Sequence, residues 1–201
     1  TIRLNHIISD APTMYTSPTE VGNLIINSPN CTINFALPAS LDKIKGNLTV
    51  QQMGTGGLTL SSVEVVGITT MNKGKLTLWT SSFYDDIIVD TGKVEFWSSN
   101  LLMGNFVSTA QDTTRVMGAL TMYASGPQQI QCGGPFTVDG SGVLTLSNAM
   151  GTYFSGAISL ISNSNLVLSG GSVTGPGLFS YAGFGTLNFV HSSEHFITNT
   201  E

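Results

Sequence analysis

At 201 residues the chain is long enough for one sizeable core, or at most two small ones. Only 9% of its residues are charged, against roughly 25% in an ordinary globular domain, which excludes a long helical protein rich in Glu, Lys and Ala. A net charge of -5 with seven basic residues does not promise the clustered Lys and Arg of a nucleic-acid footprint, so nucleic acid is set aside as a partner. The chain solubilises itself with Ser, Thr, Asn and Gly, a composition that suits β-rich extracellular, cell-surface or virion proteins.

Residues 1–45 read as an N-terminal cap or connector, and residues 46–201 as a repeat-built β domain. Pro12, Pro18, Pro29 and Pro38 divide the first region into short apolar pieces such as Leu24-Ile25-Ile26 and Ile33-Asn34-Phe35. Proline cannot donate to a ladder, so these pieces are expected as edge strands or a wrapping segment. Pro38 to Lys45 is the one expected helical turn, with Ser40 as its N-cap. The chain opens on Thr1 without an initiator Met, as a processed product or a fragment of something longer would.

From Gly46 a short phrase returns: Gly, any residue, apolar, any residue, apolar. It starts at Gly46, Gly56, Gly74, Gly92, Gly118, Gly134, Gly142, Gly156 and Gly185, with Ser164 opening a further copy. Two copies agree over nine residues, Gly74-Lys75-Leu76-Thr77-Leu78-Trp79-Thr80-Ser81-Ser82 and Gly92-Lys93-Val94-Glu95-Phe96-Trp97-Ser98-Ser99-Asn100. Apolar residues alternating with Thr mark a strand with one buried face, and the Ser/Thr/Asn cluster behind them marks a turn. The leading Gly suits a corner that needs positive φ or close approach of a neighbouring coil. Steps between copies are 10, 18, 18, 26, 16, 8, 14, 8 and 21 residues, so perfect coils are ruled out and insertions at corners are required. Second apolar runs lie between copies, at Val63-Glu64-Val65-Val66, Ile87-Ile88-Val89 and Asn105-Phe106-Val107. The fold expected is an all-β parallel β-helix or β-solenoid of coils with two or three strands. An antiparallel β-sandwich or jelly roll and an intertwined oligomeric fibre fold fit the same pattern.

Asp85, Asp86, Asp90 and Glu95 form the one local concentration of carboxylates. They could bind calcium or supply an acid/base pair for glycoside cleavage. The spacing of Asp85-Asp86-Ile87-Ile88-Val89-Asp90 is no calcium loop, and solvated corners either side of a strand are the reading preferred. Stacked in register, Glu95 lies outward beside Thr77, Lys75 near Lys93, and Trp79 over Trp97. Facing out, Trp79 and Trp97 make an aromatic ladder for a sugar or a neighbouring subunit; facing in, they pack a corner. Asn30 and Asn47 head glycosylation sequons. Cys31 and Cys132 are read as two buried thiols and no disulfide framework. His191 and His195 lie four apart, but in Ser-rich, strand-like surroundings that do not make a zinc site. No cofactor or metal motif is found, and no apolar run approaches the roughly 20 residues that span a bilayer.

The Gly-x-Leu-Thr-Leu phrase with Ser/Asn-rich corners, from Gly46 to Phe189, resembles the repeat style of β-helical surface proteins: autotransporter passengers, phage tail spikes and viral or microbial fibres. The resemblance implies an elongated, non-catalytic or receptor-binding body, often trimeric. The expected function is a structural or host-attachment domain of a virion fibre, spike or extracellular appendage, recognising a receptor or glycan. A carbohydrate-active β-helix enzyme and a self-assembling filament or capsid subunit are the alternatives. The low charge and 41% hydrophobic content predict a homo-oligomer, with a trimer favoured.

Overall fold

The computed structural model describes residues 1–5, 19–123, 128–147, 152–155, 157–168, 173–174, 178–183 and 186–189. Among them the chain forms three parallel sheets of nine, eight and nine strands and no helix. From Leu24 onward each coil contributes one strand to the first, second and third sheet in turn. One coil runs Thr69–Met71, Lys75–Trp79, Ser82–Phe83, and the next runs Ile87–Val89, Lys93–Trp97, Ser99–Leu102. The twice-written phrase occupies adjacent strands of the second sheet, where Lys75 pairs with Lys93, Leu76 with Val94, Thr77 with Glu95, Leu78 with Phe96 and Trp79 with Trp97. The pairing is parallel, so the molecule is a β-solenoid and neither a sandwich nor a jelly roll.

The wandering steps have a simple origin. The glycine phrase opens strands of all three sheets: Gly46 precedes one of the first, Gly74 and Gly92 precede two of the second, and Gly118 and Gly142 precede two of the third. The step of 18 from Gly74 to Gly92 is one whole coil, whereas the 8 from Gly134 to Gly142 is passage between two sheets within a coil. Two of the glycines need their conformation as well as their size. Gly74 and Gly92 have φ of 127° and 108°, and a Cβ on Gly92 would lie 2.0 Å from the Gly74 carbonyl oxygen.

Inward residues of successive coils stack into columns, such as Leu58–Leu76–Val94, Leu60–Leu78–Phe96 and Val65–Phe83–Leu102–Met122. All of these are buried in one continuous core. Phe96, Phe106 and Phe136 cross it edge to face, with centroids 6.1 and 6.0 Å apart. Burying each large side chain contributes about 1.5–3 kcal/mol.

Polar side chains hold the corners. Where the third sheet passes to the first, side-chain oxygens accept a backbone N–H from the coil above. Asn23 receives Asn47 (2.8 Å), Asn47 receives Ile68 (3.1 Å), Asp86 receives Asn105 (2.7 Å) and Asn105 receives Gln129 (2.8 Å). The tight second-to-third corner uses left-handed residues without glycine: Ser62, Thr80 and Ser98, at φ 58°, 50° and 56°. Behind them sits Asn100, buried in register with Leu120. Its Nδ2 donates to the carbonyls of Trp97 (2.7 Å) and Leu78 (3.3 Å), and its Oδ1 accepts the Ser81 N–H at 3.1 Å.

In the first 45 residues, Leu24–Ser28 lies between Ile2–Asn5 and Leu48–Met53 inside the first sheet. It is therefore an internal strand, whereas Asn34–Ala36 is the outermost strand of the second sheet among the described residues. Pro29 and Pro38 fall outside the strands, which removes the conflict with ladder bonding; Pro12 and Pro18 lie outside the described residues. The expected helical turn over 38–45 is not formed. Residues 39–40 make a turn and Lys43–Ile44 continues as a strand of the third sheet. Pairing to Glu64–Val65 and burial of Leu41 and Ile44 outweigh the weak local preference for one isolated turn.

Candidate functional site

The outer face of the second sheet gathers the chemistry. Residues alternate along a strand, so Lys75, Thr77 and Trp79 share the outer face, as do Lys93, Glu95 and Trp97 on the next. The strands run through the tryptophans before the Thr80 and Ser98 corners turn, and this places both indoles outside. They stack with centroids 5.3 Å apart and planes 12° from parallel. Trp79 remains 40% exposed, and its neighbour on the other side is Ser61, too small to cover the second indole face.

Glu95 ties this face together. Its Oε2 accepts the Lys75 ammonium at 2.9 Å and the Trp97 indole Nε1–H at 3.2 Å. The carboxylate is buried on the outer face by these partners. Burial pushes its pKa up, but the hydrogen bonds from Lys75 and Trp97 and the charges of Lys75 and Lys93 prevail. The net result lies below the ordinary value of 4.5.

At the opposite end of these strands from the tryptophans, at the first-to-second corner, lies a groove. Gly54, Gly56, Gly74 and Gly92 are part of its lining, and a Cβ on any of them would run into the preceding coil. A cavity of about 330 Å³ includes Lys73, Lys75 and Lys93. A second, of about 230 Å³, adds Glu95 and Arg115, and the two share Lys93 and Asp112. Four of the chain's seven basic residues thus surround one groove. Lys43 and Lys45, elsewhere, are paired to Glu64 and Glu20. Among the described residues Lys73, Lys93 and Arg115 make no ion pair.

No protein-family model, curated protein or solved structure matches this chain. Its own residues therefore carry the functional reading.

The acidic group of the sequence is dispersed. Asp85 and Asp86 sit between the third and first sheets, Asp90 between the first and second, and Glu95 on the second-sheet face. Asp86 is a rung of the corner ladder, and Asp85 accepts the Asp86 N–H at 2.8 Å. Among the described residues no three His, Cys, Asp or Glu side chains come together as a metal site. Asn30 lies in an exposed turn; Asn47 is exposed, with its amide oxygen held in the ladder. Both thiols are free, Cys31 buried and Cys132 half-buried, and burial pushes the Cys132 thiol up to about 12. His191 and His195 lie outside the described residues. Among the described residues no helix is long and apolar enough to cross a membrane.

Sequence reasoning registered the tryptophans, Glu95 and the Lys75/Lys93 repeat, but missed the groove. Lys73 and Arg115 stand outside the repeated positions, and only the pairing of Glu95 with Arg115 brings the latter alongside. A second feature was also missed. Val66, Tyr84, Met103 and Tyr123 each follow a paired third-sheet strand, so they line up over four coils as an apolar stripe. Val66, Tyr84 and Tyr123 are the exposed members.

Proposed function

We propose that the chain is the non-catalytic body of a virion fibre, spike or other extracellular appendage, and that it attaches to a surface through the outer face of its second sheet. The observation that carries this reading is the stacked pair of exposed Trp79 and half-buried Trp97, the latter held by Glu95, on the outer face of a parallel sheet. Such indoles offer a rigid apolar platform that loses little entropy on binding, and sugar rings stack on it readily. The stacked coils supply length and stiffness, with polarity drawn from hydroxyls and amides in place of charge.

Retention on immobilised glycans or on cells, compared between the native chain and Trp79→Ala/Trp97→Ala, tests this. Loss of retention in a variant with an unchanged far-UV spectrum is expected; undiminished retention would overturn the reading. On this face the carbohydrate-active alternative has Glu95 and Asp112 as its carboxylates, with Glu95 the one that touches the tryptophan pair. A carboxylate held ionised by Lys75 and Trp97 suits a strut better than a general acid. Polysaccharide turnover that disappears in Glu95→Gln would reverse that preference. The stripe of Val66, Tyr84, Met103 and Tyr123 is assigned to self-association of the fibre, three copies being the state favoured.

A further inference from the structure

We infer that the groove at the first-to-second corner binds an acidic polysaccharide, lying along the solenoid axis with its carboxylate or sulfate groups against Lys73, Lys75, Lys93 and Arg115. The inference rests on the attachment reading and gives it a ligand chemistry.

Charge complementarity is the first ground. The chain as a whole carries -5, yet four of its seven cations face this groove, opposed there by Glu95 and Asp112. Glu95 is already neutralised by Lys75. Lys73, Lys93 and Arg115, with no ion pair among the described residues, leave an excess of positive charge in a concave site. An anionic occupant supplies the missing partners.

Spacing is the second ground. Lys75 and Lys93 are paired in register, as are Glu95 and Arg115. The cations therefore sit on three successive coils about 4.8 Å apart along the axis, with Arg115 set two residues, about 7 Å, across the sheet from the Lys75–Lys93 column. That step is comparable to the advance of one pyranose in an extended polysaccharide, so a polymer bearing one acid group per sugar meets a cation at each coil. The groove's glycine lining gives such a chain room to lie close to the backbone. Trp79 stands four residues along the strand from Lys75, about 13 Å away on the same face. A polymer or its branch reaches the indoles from the groove, whereas a single sugar acid cannot.

The test measures binding of the full chain to polygalacturonate and to dextran sulfate, with neutral dextran, galacturonic acid, poly-glutamate and single-stranded DNA as further arms. Binding to one or both acidic polysaccharides is expected, and the stronger of the two identifies carboxylate or sulfate as the preferred acid group. It should weaken with added salt and fall at least tenfold in Lys73→Gln/Lys93→Gln/Arg115→Gln, while Lys93→Arg retains it. These lysines are exposed and Arg115 is too, so unchanged thermal unfolding of the variants shows that the fold is kept. Equal affinity for galacturonic acid, poly-glutamate or DNA would reduce the groove to a general anion site and overturn the inference. Undiminished affinity in the triple variant would overturn it too. Binding of neutral dextran alone, abolished by Trp79→Ala/Trp97→Ala, would refute the acidic ligand and leave attachment standing. No glycan binding in any arm, joined to no retention on cells, would remove both.

Discussion

At the residue scale, Glu95 shows how one substitution in a repeat converts a neutral lane into a site. The in-register neighbour Thr77 needs no partner, whereas Glu95 requires Lys75 and the Trp97 indole to offset its desolvation. Those same contacts orient the half-buried Trp97 ring, on which the exposed Trp79 stacks. The pH dependence follows with a definite sign. The folded pKa of Glu95 is lowered, so its contribution to stability is fully present above the ordinary value of 4.5 and is lost as pH falls through the folded value. Tryptophan fluorescence should therefore stay constant from about pH 8 to 5 and change below about pH 4.5, because both tryptophans of the chain belong to this cluster. Glu95→Gln should lose that acid transition. Its persistence in the variant would show that another group controls the indoles.

At the element scale, corners specify this molecule as much as strands do. Asn100 stands in a column otherwise filled by Leu120, Leu144 and Leu166, so the repeat pattern alone recommends Asn100→Leu. The structure predicts the opposite outcome. The leucine would leave the Ser81 N–H and the Trp97 carbonyl without their partner in a buried corner, at a cost of about 1–3 kcal/mol. Urea unfolding of the variant checks this, and a stabilised protein would contradict it. Strands obey the simpler rule. Phe96→Ala removes a fully buried ring from the Phe96–Phe106–Phe136 path and should cost about 3–5 kcal/mol, against well under 1 kcal/mol for Thr77→Ala on the outer face. The alternation that makes this difference was legible in the sequence, because a period of two survives any insertion at a corner. What alternation could not show was the position of each corner. Whether Trp79 faced out depended on the strand running through it to Thr80, and whether Arg115 neighboured Glu95 depended on an irregular coil between them. Local turn preference misled at residues 38–45, where pairing to the coil above decided the conformation.

At the scale of the whole molecule, a stack of coils has flanks that are continuous ladders, and each ladder can acquire one chemical character. The second-sheet flank carries the tryptophans and borders the cationic groove. The third-to-first corner carries the apolar stripe, with Tyr84 at 44% and Tyr123 at 50% exposure. These side chains are held by backbone pairing, since the Tyr84, Met103 and Tyr123 N–H groups each donate to a carbonyl of the coil below at 2.8–2.9 Å. Such a stripe presents rigid aromatic and apolar area at little entropic cost, and few charges stand in the chain to oppose association. Identical stripes brought together around a rotation axis parallel to the solenoid would leave the tryptophan flank of every copy facing outward, which is the arrangement an attachment fibre needs. Equilibrium sedimentation at micromolar concentration should therefore give a multiple of the monomer mass, three copies being favoured. Tyr84→Ser/Tyr123→Ser should shift the population to monomer while leaving glycan retention by each chain intact, because the two flanks share no side chain. A stable monomer of the native chain would refute the assembly. Loss of retention together with the oligomer would mean instead that attachment depends on several weak sites acting at once.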